Sequence, residues 1–443
     1  MNQLIRVGFG RVDITPEDPV PLGGYGNSKL RFHETVRDNL YATCLAFTGT
    51  DNNTVLLFHT DMLHAYGDLT EPVREVLSAA YGIPKQNVLV AATHSHSTPD
   101  AMLTDIPAIA AFREKYVTSL IAAGHQAMAD RAEALIYVCS CPTERMNFIR
   151  HYKIADGTYA GANFGNFAAG IVGHTSNNDA WMQLIKLVRP GTQDILLMNW
   201  QAHPCFTGGI DKKELSADYI GELRKYLEEK TGAKFAFFQG AAGNHNGISF
   251  YPRETRTNDC TEYARILGDY ALWALQAPVY VQGGKVESIH RVLTLELDHS
   301  DDHMVPQCKD IYAQWYEKGD RPLSNKRARE ELRLNSIYAV SAVLNRAARD
   351  TQEDMSIYAF RIGDLGFVCA PYEMFAASGM QIKEWSPYAM TFVVSCCNDT
   401  RGYLASELAY NHGCYEVDTR RYPKGCAEYL ADTFVDMLKE LKK

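Results

Sequence analysis

Short apolar runs rich in β-branched and aromatic residues alternate along this chain with stretches of helical period. Thr54 to Phe58, Asn87 to Ala92, Ile195 to Trp200, Lys234 to Phe238, Leu365 to Cys369 and Thr391 to Ser395 are apolar at nearly consecutive positions, which predicts buried strands. Between several of them the apolar positions recur with the spacing of a helix. Thr70 is expected to cap a helix through Tyr81, with Pro72 in its first turn and Gly82 just past its end. Ser216 is expected to open another, in which Ile220, Leu223 and Leu227 share one face and Gly232 ends the helix. A last helix runs from about Cys426 to Leu441. Strand and helix in alternation predict an α/β fold, with mostly buried mixed sheets flanked by helices. No repeat, low-complexity tract or linker interrupts the chain, so residues 1–443 read as one large domain. Residues 301–350 differ: charged and helical around Arg327, Arg329, Glu330, Glu331 and Arg333, then apolar from Ala339 to Ala348, they read as a helical excursion from that domain. Gly8-Phe9-Gly10 followed by Asp13 hints at a dinucleotide loop, but without a third glycine or a preceding strand it reads as a turn.

Composition narrows the functional classes. With 46% hydrophobic and 22% charged residues the chain is globular in type, and no apolar run is long enough to cross a bilayer. A net charge of −9 without a Lys/Arg cluster argues against nucleic acid and against a stable anionic-membrane anchor, leaving small molecules as the expected partners. The amino-terminal residues lack the pattern of a signal peptide, and eleven cysteines without a C-x-x-C pair read as reduced thiols, so a cytoplasmic location is expected. Cys139/Cys141 and Cys396/Cys397 read as strand residues rather than ligands.

The candidate chemistry sits where the apolar strands stop. The run Asn87 to Thr93 ends in His94-Ser95-His96, and because alternate residues of an extended chain point the same way, both imidazoles can face one pocket, as two ligands or as a ligand and a partner. A second strand, Ile195 to Trp200, runs into His203, and a third, Leu365 to Cys369, into Glu373. Taken singly, each has a plainer explanation: hydrogen-bonded histidines, or an acid at a helix amino terminus. Together, two histidines and a carboxylate after successive strands match a catalytic zinc site with an open position for water. The fourth such end carries Asn398-Asp399-Thr-Arg-Gly402-Tyr403, with Tyr410 and Tyr415 beyond it. Gln239-Gly240-Ala-Ala-Gly243-Asn244-His245-Asn246-Gly247 is either a loop that lets backbone approach a ligand or an ordinary turn.

These segments, in this order and over nearly the whole chain, resemble the neutral/alkaline, non-lysosomal ceramidase family. Val7-Gly-Phe-Gly-Arg-Val-Asp-Ile-Thr-Pro16 with Gly24-Tyr25-Gly26 resembles its opening, and Thr93-His94-Ser95-His96-Ser97 its T-H-T-H-S segment. Asn147-Phe-Ile-Arg150, Asn199-Trp200 through His203, Cys369-Ala-Pro-Tyr-Glu373 and Asn398 through Tyr403 with Tyr410, Tyr415 and Glu416 resemble its later segments. The resemblance implies that Zn2+ is held by His94, His203, Glu373 and Tyr403, and that His96, Arg150 and Tyr415 surround the scissile carbonyl, with Asn246 and Tyr410 as further catalytic candidates. Two departures matter. Where the family has a serine in a G-D-V-S-P loop, this chain has Gly243-Asn244-His245-Asn246, so that role is expected to pass to an amide. The chain also ends soon after Glu440, so the resemblance covers the catalytic domain without the family's C-terminal β-sandwich.

The function expected is therefore zinc-dependent hydrolysis of an amide in a small N-acyl compound by a metal-activated water. Three alternatives stand beside it: an esterase or lactonase on the same site, a serine nucleophile at Ser95 or Ser97 despite the missing G-x-S-x-G elbow, and a non-catalytic protein that uses the metal to hold a ligand.

Overall fold

Successive side chains of a strand point to opposite faces, and here both faces are apolar. In the strand Tyr41–Thr48, Leu45 and Phe47 point one way and Ala42, Cys44 and Ala46 the other; in Thr54–Thr60, Val55 and Leu57 oppose Leu56 and Phe58. The first set packs with Phe360, Phe367 and Phe392 of a second sheet. The second set packs with Leu69, Val73 and Leu77 of the helix Gly67–Tyr81 and with Phe112 and Leu120 of the helix Pro107–Ala129. The outcome is a layered α/β structure, helix on sheet on sheet on helix, which satisfies both faces of every central strand. This computed structural model describes residues 4–318 and 320–443.

The larger sheet runs Lys234–Gln239, Ile195–Trp200, Trp181–Val188, Ala132–Pro142, Ile5–Asp13, Tyr41–Thr48, Thr54–Thr60, Val88–Ala92, with Val279–Val281 also paired to Ala132–Pro142. It is antiparallel in its middle and parallel at its two ends, where Ile195–Trp200 pairs Lys234–Gln239 and Thr54–Thr60 pairs Val88–Ala92. The smaller sheet runs Val286–Glu296, Gln352–Ile362, Leu365–Cys369, Met390–Val394, again with a parallel last pair. Helices Tyr219–Thr231 and Cys260–Ala274 cover the rest of the large sheet, and Cys426–Lys442 covers the small one. Asn199 pins the two sheets together: its amide donates to the carbonyls of Phe238 and Val393, and its oxygen accepts from Val393 N–H at 3.2 Å.

The strands expected from the sequence are present with ends shifted by a residue or two. The glycines of Gly8-Phe9-Gly10, expected in a turn, lie instead inside the strand Ile5–Asp13. A Cβ on Gly8 would fall 1.9 Å from the carbonyl oxygen of Ala127 and one on Gly10 2.1 Å from that of Ala123, so the glycines let the helix Pro107–Ala129 press its backbone onto the sheet. The helix expected to start at Thr70 starts at Gly67, and Thr70 Oγ1 donates to the Asn398 carbonyl. Asp218, not Ser216, caps the helix Tyr219–Thr231 by accepting from Tyr219 N–H, while the Ser216 hydroxyl accepts from Asp218 N–H. Among the described residues, 301–350 hold a short 3-10 helix, Asp302–Met304, and three α-helices, Val305–Lys318, Arg321–Leu332 and Ile337–Ala347. They are inserted between Val286–Glu296 and Gln352–Ile362, two strands paired antiparallel from Val286↔Ile362 to Glu296↔Gln352, so the excursion is a large insertion in a hairpin loop. Among the described residues, no helix is long and apolar enough to cross a membrane.

Candidate active site

The parallel strands of both sheets end on the same side of the molecule, and their continuations are laced together. Beyond Val88–Ala92, His94 N–H donates to the Met62 carbonyl; beyond Ile195–Trp200, His203 pairs in parallel with Asn246; beyond Leu365–Cys369, Glu373 pairs in parallel with Tyr403. Asn246 in turn pairs with Phe148, which places Arg150 at the same spot. His94 sits at φ 68°, with Cys396 at 56° and Asn398 at 65°, three non-glycine residues in the left-handed region around one centre. Such conformations cost about 1–3 kcal/mol each and persist where the surroundings over-determine them.

The geometry of the buried imidazoles fixes their chemistry. His94 Nδ1 lies 2.8 Å from the Leu63 carbonyl, and His203 Nδ1 lies 2.8 Å from that of Ala242 and 3.0 Å from that of His245. A carbonyl oxygen only accepts, so both Nδ1 atoms carry the proton and donate. Both Nε2 lone pairs are thereby left facing one oxygen: Glu373 Oε2 lies 3.0 Å from His94 Nε2 and 3.1 Å from His203 Nε2. These atoms are buried and make no hydrogen bond, and neither do the two ring nitrogens of His96. Burial, opposed and outweighed by Glu373 and Cys396, leaves His94 drawn well above the usual imidazole range. His203 is pushed down to about 4 by burial and the Arg150 guanidinium. Glu373, against its own burial, is held well below the usual carboxylate range by His94 and His203. One proton on His94 can answer one lone pair; His203 Nε2 still confronts a carboxylate oxygen with nothing between them. A cation answers both, and the ligand atoms of His94, His96 and His203 lie within 4.8 Å of one another. The residues present therefore fit a divalent metal ion, with imidazole nitrogen and carboxylate oxygen as donors.

Around this centre lies a cavity of about 350 Å³. His96, His203, Arg150, Asn246, Tyr403 and Tyr415 all line it, and Glu373 and His94 are buried behind His203, so eight of the nine site residues expected from the sequence stand in or next to its wall. Tyr410 is the ninth and does not reach it: its hydroxyl donates to the Tyr422 carbonyl at 2.6 Å, and its ring packs with Ala409, Cys414 and Val417. Arg150 Nε donates to Glu416 Oε1 at 2.7 Å while His151 Nε2 stands 2.8 Å from Glu416 Oε2, and all three are buried. Glu416 with His151 and Cys414 also brings three ligand atoms together, but both carboxylate oxygens already have cationic or N–H partners. The Arg150 guanidinium lies 5.4 Å over the Tyr403 ring, and its Nη1 is 3.5 Å from Asn246 Oδ1. Burial, with Glu416 and Glu373 nearby, raises the Tyr415 phenol, and burial with Glu373 raises Tyr403, each outweighing the opposing pull of Arg150, so neither ionises near neutrality.

Several parts of the site carry no motif of their own. Gly24, at φ 104°, leaves room for His96, whose Nδ1 would be 2.6 Å from a Cβ there; Tyr25 then packs edge-on to the His96 ring, and Arg31 donates to the Gly23 and His96 carbonyls. Cys396, expected in a strand, lies just past Met390–Val394 with its sulfur 3.6 Å from His94 Nδ1. From the helical excursion, Tyr338 and Arg321 complete the wall. Of these, Gly24 and Tyr25 lie in a run that the sequence singled out and Cys396 read there as a strand residue; Arg31, Tyr338 and Arg321 carried no signal of a site.

No protein-family model matches the chain, and no curated protein sequence does. Solved structures match over its full length. The chain is similar to neutral ceramidase from Pseudomonas aeruginosa, with a TM-score of 0.72 at 18% identity, covering 100% of this chain and 75% of that one. It is similar also to a ceramidase complexed with C2, with a TM-score of 0.71 at 16% identity, covering 99% of this chain and 75% of that one. At such identities the likeness is one of fold, and the fold is of the neutral ceramidase kind.

Proposed function

We propose that this chain is a zinc-dependent hydrolase, one catalytic domain throughout, that cleaves the amide bond of a small N-acyl compound. The observation that carries the reading is the pair of imidazole Nε2 atoms aimed at a single buried carboxylate oxygen, one of them on His203, which lines a cavity. The fold likeness to neutral ceramidases supports the choice of an amide bond. His94, His203 and Glu373 would hold the ion, with Tyr403 and His96 at its open side; nitrogen and oxygen donors in this proportion suit zinc. When bound, such an ion supplies Lewis acidity and brings a water close to ionisation at neutral pH.

The remaining steps belong to the side chains. In hydrolysis the water oxygen bonds to the acyl carbon, the C–N bond breaks, and one proton must reach the leaving nitrogen. Arg150, kept charged by Glu416, offers a fixed donor to the carbonyl oxygen on which negative charge develops, an arrangement worth about 10²–10³ in rate. His96 lines the cavity with no hydrogen bond to either ring nitrogen, so its imidazole is free to take a proton from the water and pass it on. Tyr415, kept protonated, donates to the substrate from the cavity wall beside Tyr403.

Metal analysis of the purified chain, followed by hydrolysis of an N-acyl amide panel with and without chelator, tests this. The expected result is about one zinc per chain, activity lost on chelation and regained with zinc, and loss of both metal and activity in His203→Ala. A metal-free His203→Ala protein with full activity would overturn it.

A further inference from the structure

The cavity is built from two parts of the chain that do different things. Its floor comes from the sheet ends; one wall comes from the helical excursion, which docks through Tyr338. Tyr338 fits against Gly26, where a Cβ would fall 2.3 Å from its ring, donates its hydroxyl to the Tyr25 carbonyl at 3.0 Å and touches Phe164. Arg321, the first residue of the helix Arg321–Leu332, rests its guanidinium 5.2 Å over the Tyr338 ring and lines the same cavity as His203.

Among the charged residues that line the cavity, Arg321 stands apart. Two arginines line the cavity, and Arg150 is answered by the buried carboxylate of Glu416. In the excursion Lys326 pairs with Glu330, Arg327 with Asp310 and Glu331, and Arg346 with Asp301. Among the described residues Arg321 has no hydrogen bond or ion pair, and none of the residues lining the cavity is an Asp or Glu. The carboxylate nearest the cavity, Glu373, is buried behind His203 and turned to the imidazoles, which leaves the half-buried Arg321 guanidinium unanswered, and its fork of N–H donors matches a carboxylate with two parallel hydrogen bonds. Its contact with the Tyr338 ring, 5.2 Å from centroid to guanidinium carbon, holds that fork at the cavity wall.

Resting on the amide-hydrolase reading above, we propose that Arg321 determines specificity by receiving a carboxylate on the substrate, so that the compound cleaved is an N-acyl molecule bearing a free carboxyl group, of the N-acyl amino acid class. The cavity, about 350 Å³, is at the small end of ligand sites and suits such a molecule.

The test separates recognition from turnover. N-hexanoylglycine and its neutral twin, N-hexanoylglycine amide, are titrated calorimetrically into the full chain stripped of metal, so that no ion can capture the carboxylate. The acid is expected to bind about tenfold to a hundredfold tighter than the amide, as for hydrogen bonds between charged groups. Arg321→Ala should erase that preference while leaving the amide's affinity in place, Arg321→Lys should restore part of it, and Arg321→Glu should invert it. Unchanged thermal melts certify that each variant is folded. No preference in the wild-type chain, or equal weakening of both ligands in Arg321→Ala, overturns the proposal. Hydrolysis of both compounds by the zinc-loaded enzyme without preference would sink this inference and spare the hydrolase reading; an Arg321-dependent preference without hydrolysis of either would do the reverse.

Discussion

Glu416 is the residue whose removal should be felt most widely. Glu416 is 1% exposed and Arg150 4%, and no solvent can take over if one partner is lost. An exposed pair is worth less than about 1 kcal/mol, but a lone charge left in the interior is costly. Glu416 accepts from Arg150 Nε at 2.7 Å and from His151 Nε2 at 2.8 Å. At about 1.5–3 kcal/mol for each hydrogen bond to a charged group, the two sum to about 3–6, in line with the 3–5 kcal/mol typical of breaking a buried pair from one side. Glu416→Gln keeps the shape and removes the charge, so it should lower stability by about 3 kcal/mol. Arg150→Met should cost a similar amount, and the double variant Arg150→Met/Glu416→Leu much less than the sum of the two single costs, because it strands no charge. Guanidinium titrations with linear extrapolation measure all three. The pH profile adds a check. Burial disfavours the Glu416 charge, but Arg150 and His151 outweigh it and hold the carboxyl far below its ordinary value. The stabilisation is therefore present above the unfolded value, about 4.3, and lost progressively as pH falls below it, and Glu416→Gln should flatten that acid limb. Turnover should fall about 10²–10³-fold in Arg150→Met and not recover in the double variant, separating catalysis from stability. Single variants costing under about 1 kcal/mol, with simple additivity in the double, would refute the reasoning.

Two other substitutions test the fold by different physics. Gly8→Ala places a methyl 1.9 Å from the Ala127 carbonyl oxygen, a backbone atom that cannot step aside, so the variant should melt early, losing about 3 kcal/mol or more; wild-type melting would show that the close approach of helix and sheet does not exist. Burial pushes Asp418 up to about 6, so the native state keeps a proton that the unfolded chain releases near 3.9, and stability falls as pH rises between those values. Asp418→Asn should consequently stabilise by about 1–3 kcal/mol at pH 7 and by nearly nothing at pH 4; an equal effect at both, read from thermal unfolding, would contradict this.

What the sequence disclosed follows from which interactions are local. Strands buried on both faces leave continuous apolar runs, and the histidines and Glu373 stood out because a polar residue directly after such a run has few structural reasons to be there. The pairing of Glu373 with Tyr403 and of His203 with Asn246 could not be read, since residues so distant in sequence are brought together only by the folded sheets. Gly8 and Gly10 misled for a related reason: glycine before a polar residue signals a turn unless a helix far along the chain needs the space. Tyr410 sits within a motif-like run of tyrosines, yet the carbonyl of Tyr422 claims its hydroxyl. Arg321 looked like one more charge on a polar helix, and only the wall it shares with His203 distinguishes it.

The excursion enters and leaves through adjacent strands whose ladder continues past Glu296↔Gln352 to a bond from Leu297 N–H to the Thr351 carbonyl. A hairpin so closed tolerates almost any length of chain at its tip, because loop-closure entropy grows only logarithmically with length. On the reading proposed above, segments spliced between residues 298 and 350 would re-shape one wall of the cavity while leaving the sheet ends that carry His94, His203 and Glu373 in place.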